Sequence, residues 1–453
     1  MNAADLDYQA RTLAGCIPPQ LVTRLLELGH EQEVERQAGH GEWFCAREWA
    51  RLLGGRGRHA QALEVLAPYV ATGWWTAVQA RAEMLRGWGR GEEAIELCRP
   101  YAQAGDRLAL VFFARLLAEY GQGAEAFTLL RDGIEDWFLA EALVDVAEAA
   151  GLDEEAAAML VTRIEAAAPA CGDPDCTNLR MEPWNAIDLL AAIRERQGRI
   201  EEAIALLRRR STTSVNNRDA LADLLARHDR IDELREYAAS EHHGHAVQRL
   251  AEVLEARGDV EGAVAVYRAF AAEGDGLWHV AVPLTRLLVR DSRGDEAIEV
   301  MRMLASRPGG AEDWIVDALC TLYSDLGRAR EGLAYLDALK AGRGVEDWDF
   351  FQVRLLLLAA CGLLDEGIEE ARAHPEGDTW YAARCVSKRL AEGGRLVEAM
   401  AVLEAHPNSD QPLRAEHLIE LGRIKDAVRI LQQWTPTPAT HGWSSTASTE
   451  PPF

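Results

Sequence analysis

The feature that most constrains the fold is a motif that recurs about every 33 residues along nearly the whole chain. Each copy has apolar residues at helical spacing, then Gly-Arg or a variant of it, then Glu-Ala and a second apolar stripe. We call the glycine position the anchor. The anchors are Gly57, Gly89, Gly121, Gly151, Gly198, Asp229, Gly258, Ser292, Gly327, Gly362, Gly394 and Gly422, with a half-copy at Gly29. This period argues against three globular domains, which the 453 residues would otherwise suggest.

Each copy is predicted to be a pair of amphipathic helices joined by a short turn. Before Gly258, apolar residues fall at Leu250, Val253 and Leu254, and helical spacing resumes from Val260. A glycine between the helices suits the left-handed backbone that ends many helices. The chain is therefore expected to be all-α.

Two further positions in the motif carry small residues. The residue five past the anchor is Ala or Gly in every copy except the one with Leu234. The residue seven before the anchor is Ala, Ser, Thr or Cys except at Val144 and Leu355. Small residues at paired positions allow two helices to pack closely, which a random amphipathic hairpin would not need.

This layout resembles the tetratricopeptide-repeat superfamily, and in particular the degenerate repeats of actinobacterial chains. The resemblance covers residues 29–434 and implies a right-handed α-solenoid of about twelve antiparallel helix pairs. It departs in its tryptophans, which lie at the start of the first helix rather than inside it, often after an acidic residue, as in Glu42-Trp43 and Asp136-Trp137. We expect the acid to cap the helix and the tryptophan to pack over the previous repeat.

The chain is predicted to have three parts. Residues 1–28 form an N-terminal capping region, residues 29–434 form the array with an inserted loop near 168–183, and residues 435–453 form a disordered tail rich in Pro, Ser and Thr. The insert holds Cys171 and Cys176, the only close cysteine pair. No second pair follows, so a plain loop or a redox-labile pair is favoured over zinc.

Motifs for catalysis are missing from the sequence. It has no phosphate-binding loop, no Gly-x-Ser-x-Gly elbow and no His-Glu-x-x-His. The cluster His242-His243-Gly244-His245 is the best metal candidate, and a polar turn is the favoured interpretation. We therefore expect no enzymatic activity, no cofactor and no metal.

The start of the chain and its apolar runs predict a cytoplasmic protein. Residues 1–20 lack the pattern of a secretory signal. The longest apolar run, Leu355 to Leu364, is far shorter than the roughly 20 residues that cross a bilayer.

Charge indicates the kind of partner. The chain carries 73 acidic and 48 basic residues, a net charge of −25, which disfavours nucleic acid and anionic membranes. The resemblance implies that residues ten and six before each anchor line the concave groove. Up to the anchor Gly394, the acidic members of this set are Glu83, Glu141, Asp145, Asp188, Asp219, Asp223, Glu252 and Asp317. They predict a basic protein or peptide partner, although an acidic chain shows carboxylates on any solvated face.

The sequence thus favours a non-catalytic protein-interaction scaffold that binds a basic segment of its partner in an acidic groove. The alternative is a regulatory sensor that binds a small ligand or a signal peptide inside the superhelix, and an enzyme is the third possibility. The sequence leaves the partner's identity and the oligomeric state open.

Overall fold

The computed structural model describes residues 2–165, 183–209, 219–307, 313–343, 347–406 and 410–434. Over these ranges the protein is all-helical, with 27 α-helices and no strand. The predicted insert up to residue 182, with its two cysteines, and the predicted tail lie outside the described residues. The right-handed superhelix stays a prediction.

Backbone contacts divide the chain into two compact units. Unit 1 comprises Met1–Thr12 and Val22–Arg230, and unit 2 comprises Leu13–Leu21 and Ile231–Phe453. The first fourteen helices are α1 (Ala3–Thr12), α2 (Pro19–Glu27), α3 (Glu31–Gly39), α4 (Trp43–Gly55), α5 (His59–Val70), α6 (Trp75–Gly87), α7 (Gly91–Gln103), α8 (Arg107–Glu119), α9 (Gly123–Arg131), α10 (Trp137–Ala150), α11 (Asp153–Glu165), α12 (Pro183–Arg196), α13 (Ile200–Leu207) and α14 (Ala220–Arg227).

The helices that follow belong to unit 2. They are α15 (Ile231–Ala238), α16 (His245–Ala256), α17 (Val260–Ala271), α18 (Gly276–Arg290), α19 (Gly294–Ala305), α20 (Asp313–Asp325), α21 (Ala329–Arg343), α22 (Trp348–Ala360), α23 (Leu364–Ala373), α24 (Trp380–Glu392), α25 (Leu396–Glu404), α26 (Gln411–Glu420) and α27 (Ile424–Gln433).

The anchors sit in the turns of TPR-like helix pairs, as the motif predicts. Each of the twelve lies between two helices, and each has a backbone φ between 61° and 82°. The two anchors that are not glycine, Asp229 and Ser292, adopt the same left-handed conformation with φ of 61° each. That conformation costs a residue with a Cβ roughly 1–2 kcal/mol, so the fold imposes the turn even where the sequence does not favour it.

Small residues pack where each pair of helices crosses. All nine alanines five past an anchor, from Ala62 to Ala427, have no exposed surface. Leu355, an exception in the sequence, is explained by its partner Gly367, because a Cβ on Gly367 would lie 2.7 Å from the Leu355 Cδ1. The missing side chain at one position thus makes room for the large one at the other.

The tryptophans confirm one expectation and correct another. Glu42 and Asp136 cap α4 and α10 by accepting hydrogen bonds from backbone N–H groups, as predicted. Trp43, however, contacts Tyr69 on the second helix of its own pair and Trp74 at the start of the next, with ring centroids 5.2 and 4.9 Å apart. The prediction that it packs over the previous repeat is wrong, because the end of the second helix and the next turn lie beside the start of the first helix.

First helices of neighbouring pairs contact one another in both units. In unit 1, α8 packs on α10 and α10 packs on α12, while in unit 2, α20 packs on α22. Residues at equivalent positions of these contacting first helices therefore lie on one surface. None of the described helices is long and apolar enough to span a membrane.

Candidate functional site

The predicted groove carboxylates all lie on first helices or directly before one, and we call them the first-helix row. In unit 1 they are Glu83 on α6, Glu141 and Asp145 on α10, Asp188 on α12, and Asp219 and Asp223 at α14. In unit 2 they are Glu252 on α16 and Asp317 on α20.

Two members of the row lie one turn apart on α10 and differ in their surroundings. Glu141 is exposed and has no hydrogen-bond or ion-pair partner within the ranges that the structure describes. Asp145 is exposed too, but Arg115 of α8 binds it, with Nη2 2.7 Å from Oδ2. Arg115 and Asp145 hold the same position in successive repeats, six before the anchor. Equivalent positions of adjacent first helices are therefore in contact.

Asp188 and Asp223 are brought together although 35 residues separate them in the chain. Both are half-buried and line one cavity of about 170 Å³, together with Glu195 and Arg227. Arg227 donates two hydrogen bonds to Glu195, at 2.9 and 2.8 Å, and lowers the pKa of that carboxyl. Asp188 and Asp223 thus lie beside the ion pair of Arg227 with Glu195.

Asp219 has a structural role. Its side chain is 5% exposed and caps α14, where Oδ1 accepts hydrogen bonds from the backbone N–H groups of Leu221 and Ala222 at 3.0 and 3.1 Å. A buried carboxylate that serves the helix N-terminus is not presented to a partner. Asp219 is therefore not part of a binding surface.

Glu83 and Glu252 are exposed and bound by residues of their own helices. Gln79 donates to Glu83 at 2.8 Å, and Gln248 donates to Glu252 at 3.0 Å. Arg249 also binds Glu252, at 3.0 Å. Such pairs one turn apart are common on helix surfaces and contribute a few tenths of a kcal/mol each.

Asp317 lies on α20 and is exposed. Its side chain reaches solvent, yet the protein around it displaces enough water to raise the pKa of its carboxyl. The charge of Arg389, on α24, acts in the opposite direction.

The arginine that follows many anchors is a feature that the sequence reasoning did not interpret. Arg293 binds Glu296 in its own helix at 2.6 Å and Glu261 of the preceding pair at 2.8 Å. This contact and that of Arg268 lower the pKa of Glu296 to about 2. Equivalent bridges join neighbouring pairs at Arg199, Arg328 and Arg395. The recurring Gly-Arg and Glu-Ala segments of the motif are the sequence signal for these ion pairs between neighbouring helix pairs.

Two thiols and one serine–histidine pair lie in the core. Burial raises the pKa of the Cys98 and Cys320 thiols to about 12, so they stay protonated at neutral pH. Ser387 and His417 form a buried pair, with Oγ and Nε2 3.0 Å apart, but the Ser387 hydroxyl donates to the Ala399 carbonyl oxygen at 2.9 Å. This pair joins three helices and has no access to a substrate.

The cluster His242-His243-Gly244-His245 lies at the start of α16. His243 lies 6.5 Å from His245 and 6.3 Å from His279 between ring centroids, and its ring nitrogen meets the buried Glu241 at 3.2 Å. Over the described ranges, no group of three or more His, Cys, Asp or Glu residues is arranged to hold a metal ion.

Comparison with known proteins gives structural neighbours only. No protein-family model and no curated protein matches the chain. A structure of Naa15/Naa10 bound to HypK-THB is 14% identical, covers 91% of this chain and 74% of its own, and has a TM-score of 0.39. The maize pentatricopeptide repeat protein PPR10 is 13% identical, with coverages of 90% and 66% and a TM-score of 0.34.

A tetratricopeptide repeat protein from Parabacteroides merdae is 12% identical, with coverages of 65% and 90% and a TM-score of 0.23. The neighbours are helical-repeat proteins, as this chain is. Similarity at this level carries no argument about what this chain binds.

Proposed function

We propose that the protein is a non-catalytic scaffold that binds a partner protein through a basic segment laid along the first-helix row of unit 1. The observation that carries the proposal is the cavity shared by Asp188 and Asp223, in which carboxylates of two successive first helices lie together. Glu141 adds an exposed carboxylate on α10, which packs against α12.

The contact between Arg115 and Asp145 supports the same proposal from within the chain. It is an example of a guanidinium seated on a row carboxylate at 2.7 Å. A lysine or arginine of a partner would meet the exposed Glu141 by the same interaction. Complementary charge of this kind guides association and register, and it also disfavours phosphate-rich partners.

The test is a double charge reversal, Glu141→Lys with Asp223→Lys, followed by affinity purification from the native host. The matched control is Glu64→Lys with Glu155→Lys, two exposed acids on the second helices α5 and α11. Both variants change the net charge by the same amount. We expect the row variant to lose the captured partner, and the control to retain it, with equal thermal unfolding of both variants.

Three results would contradict the proposal. The row variant could capture the same proteins as the wild type. The captured material could be RNA that nuclease removes. A metabolite could raise the melting temperature of the protein in the absence of any protein partner, which would favour the sensor.

A further inference from the structure

A second cavity lies among the second helices, between α23 and α25 and next to α24. We call it the second-helix groove. Its volume is about 1170 Å³, and it lies within unit 2. Because second helices form its walls, it is separate from the first-helix row.

The two helices that form the walls are short. α23 and α25 have 10 and 9 residues, whereas α24 between them has 13 and the second helices α19 and α21 have 12 and 15. The sequence gives the reason, since Ala-His-Pro occurs at 373–375 and again at 405–407. A residue before proline is driven out of the helical region, and His374 is extended, with ψ of 141°.

The floor of the groove is apolar. Val386 and Leu390 of α24 and Ile368 of α23 line it and are at least 93% buried. The wall formed by α25 carries Ala401, which is exposed, and Val402, which is half-buried. Small residues on that wall let the backbone of a bound helix approach closely.

The rim is acidic. Its carboxylates are Asp365, Glu366, Glu369, Glu370, Asp378 and Glu398, against the guanidiniums of Arg372 and Arg395. Arg372 binds Glu369 at 2.6 Å, and Arg354 of α22 binds Glu370 at 2.9 Å.

Two rim carboxylates remain available to a ligand. Arg395 binds Asp365 at 2.5 Å and Glu398 at 2.7 Å, so those acids are neutralised within the fold. Glu366 is exposed and has no partner in the described part of the chain. Asp378 is fully exposed and meets the His406 ring at 3.9 Å.

We propose that the second-helix groove binds an amphipathic, cationic helix of a partner protein. An apolar floor between acidic rims is complementary to a helix with apolar residues on one face and Lys or Arg beside them. The part of α24 that lines the groove runs from Ala383 to Leu390, which is about two turns of helix.

The probe is a fluorescent, designed helical peptide of about four turns, with Leu and Ala on one face and Lys on the flanks. Its binding to the full chain is measured by anisotropy at two salt concentrations. The comparison peptides are a scrambled sequence of equal charge and a version with Glu in place of Lys. We expect the amphipathic cationic peptide to bind tightest, with affinity that falls as salt rises.

Two groove variants locate the site. Glu366→Lys with Asp378→Lys reverses the rim, and Ala401→Trp fills the groove from an exposed wall position. Each is expected to weaken peptide binding by about tenfold. The matched controls are Glu404→Lys with Glu299→Lys, and Ala373→Trp, all exposed positions on second helices outside the groove lining. The controls should bind the peptide as the wild type does.

Several outcomes would overturn the proposal. The scrambled peptide could bind equally well, which would show that charge alone is sensed. The groove variants could leave binding intact, which would place the peptide elsewhere, and Glu141→Lys with Asp223→Lys would then show whether it sits on the first-helix row. Wild-type protein could self-associate in sedimentation while Ala401→Trp does not, which would make a second copy the occupant.

Discussion

The first-helix row of unit 1 and the second-helix groove of unit 2 are both acidic, but their carboxylates are used differently. In the row, Asp219 caps α14 and Asp145 is held by Arg115. At the groove, Glu366 and Asp378 face solvent above an apolar floor. The row therefore offers charge on a helical surface, whereas the groove offers charge together with shape.

This difference shows why a tally of acids along a chain is a weak guide to a site. A carboxylate bound by a neighbouring arginine contributes little to the attraction of a partner, because its charge is already balanced. The arginines after the anchors neutralise many of the acids at the edges of the helix pairs. The negative charge available to a partner therefore depends on which acids have no arginine bound to them.

The largest effect is expected from the floor of the groove. Leu390→Ala removes a side chain that is 2% exposed, and should lower the free energy of unfolding by about 2–5 kcal/mol. Glu366→Ala on the rim should change it by no more than about 0.5 kcal/mol. Urea denaturation of the full chain measures both. Equal effects would mean that the rim belongs to the fold and not to a binding surface.

Asp219→Ala tests the structural role assigned to one member of the row. Loss of the cap should cost about 1 kcal/mol, because the N–H groups of Leu221 and Ala222 lose their acceptor. Asp219→Ser keeps an acceptor and should restore most of the stability in thermal denaturation. If Asp219→Ala left stability unchanged, Asp219 would return to the list of binding candidates.

His417, which bonds Ser387 beneath the groove, should make unit 2 sensitive to acid. Burial lowers the pKa of its imidazole. The unfolded imidazole takes up a proton near pH 6.5 while the folded one resists, so stability is lost as pH falls from neutral through the folded pKa. His417→Gln should show a shallower loss of stability between pH 7 and pH 5 in urea titrations. Parallel curves would remove His417 as a cause.

The smallest effects concern the arginines that balance each surface. Arg115→Ala frees Asp145 in the row, and Arg395→Ala frees Asp365 and Glu398 at the groove. Each should change stability by no more than about 0.5 kcal/mol and raise the affinity of its own surface for a cationic peptide by about twofold to fivefold. A gain at both surfaces from a single change would show that the two regions do not bind independently.

Much of the fold could be predicted from the sequence because the repeat carries its own geometry. The turn glycines, the paired small residues and the capping acids each depend on neighbours within about twelve residues, and the structure confirms all three. The turn at Ser292 follows from the same period, although serine alone would not predict a positive φ. The regular spacing of the motif predicted the turn where the residue itself did not.

The site was predicted less well, for reasons that lie in the tertiary structure. The sequence placed Asp188 and Asp223 on one face, and they do line one cavity. It could not separate the buried cap Asp219 from exposed Glu141, because both are acids at groove positions of the motif.

What the sequence alone determined is the succession of helix pairs, since helical periodicity and turn chemistry are local properties. Only the tertiary structure decided which acids are free, because an ion pair such as Arg115 with Asp145 joins residues 30 apart. It also decided that α23 and α25 lie on either side of α24 and enclose a groove. The two Ala-His-Pro segments end α23 and α25 locally. The groove itself forms only because both helices pack against α24 in the folded chain.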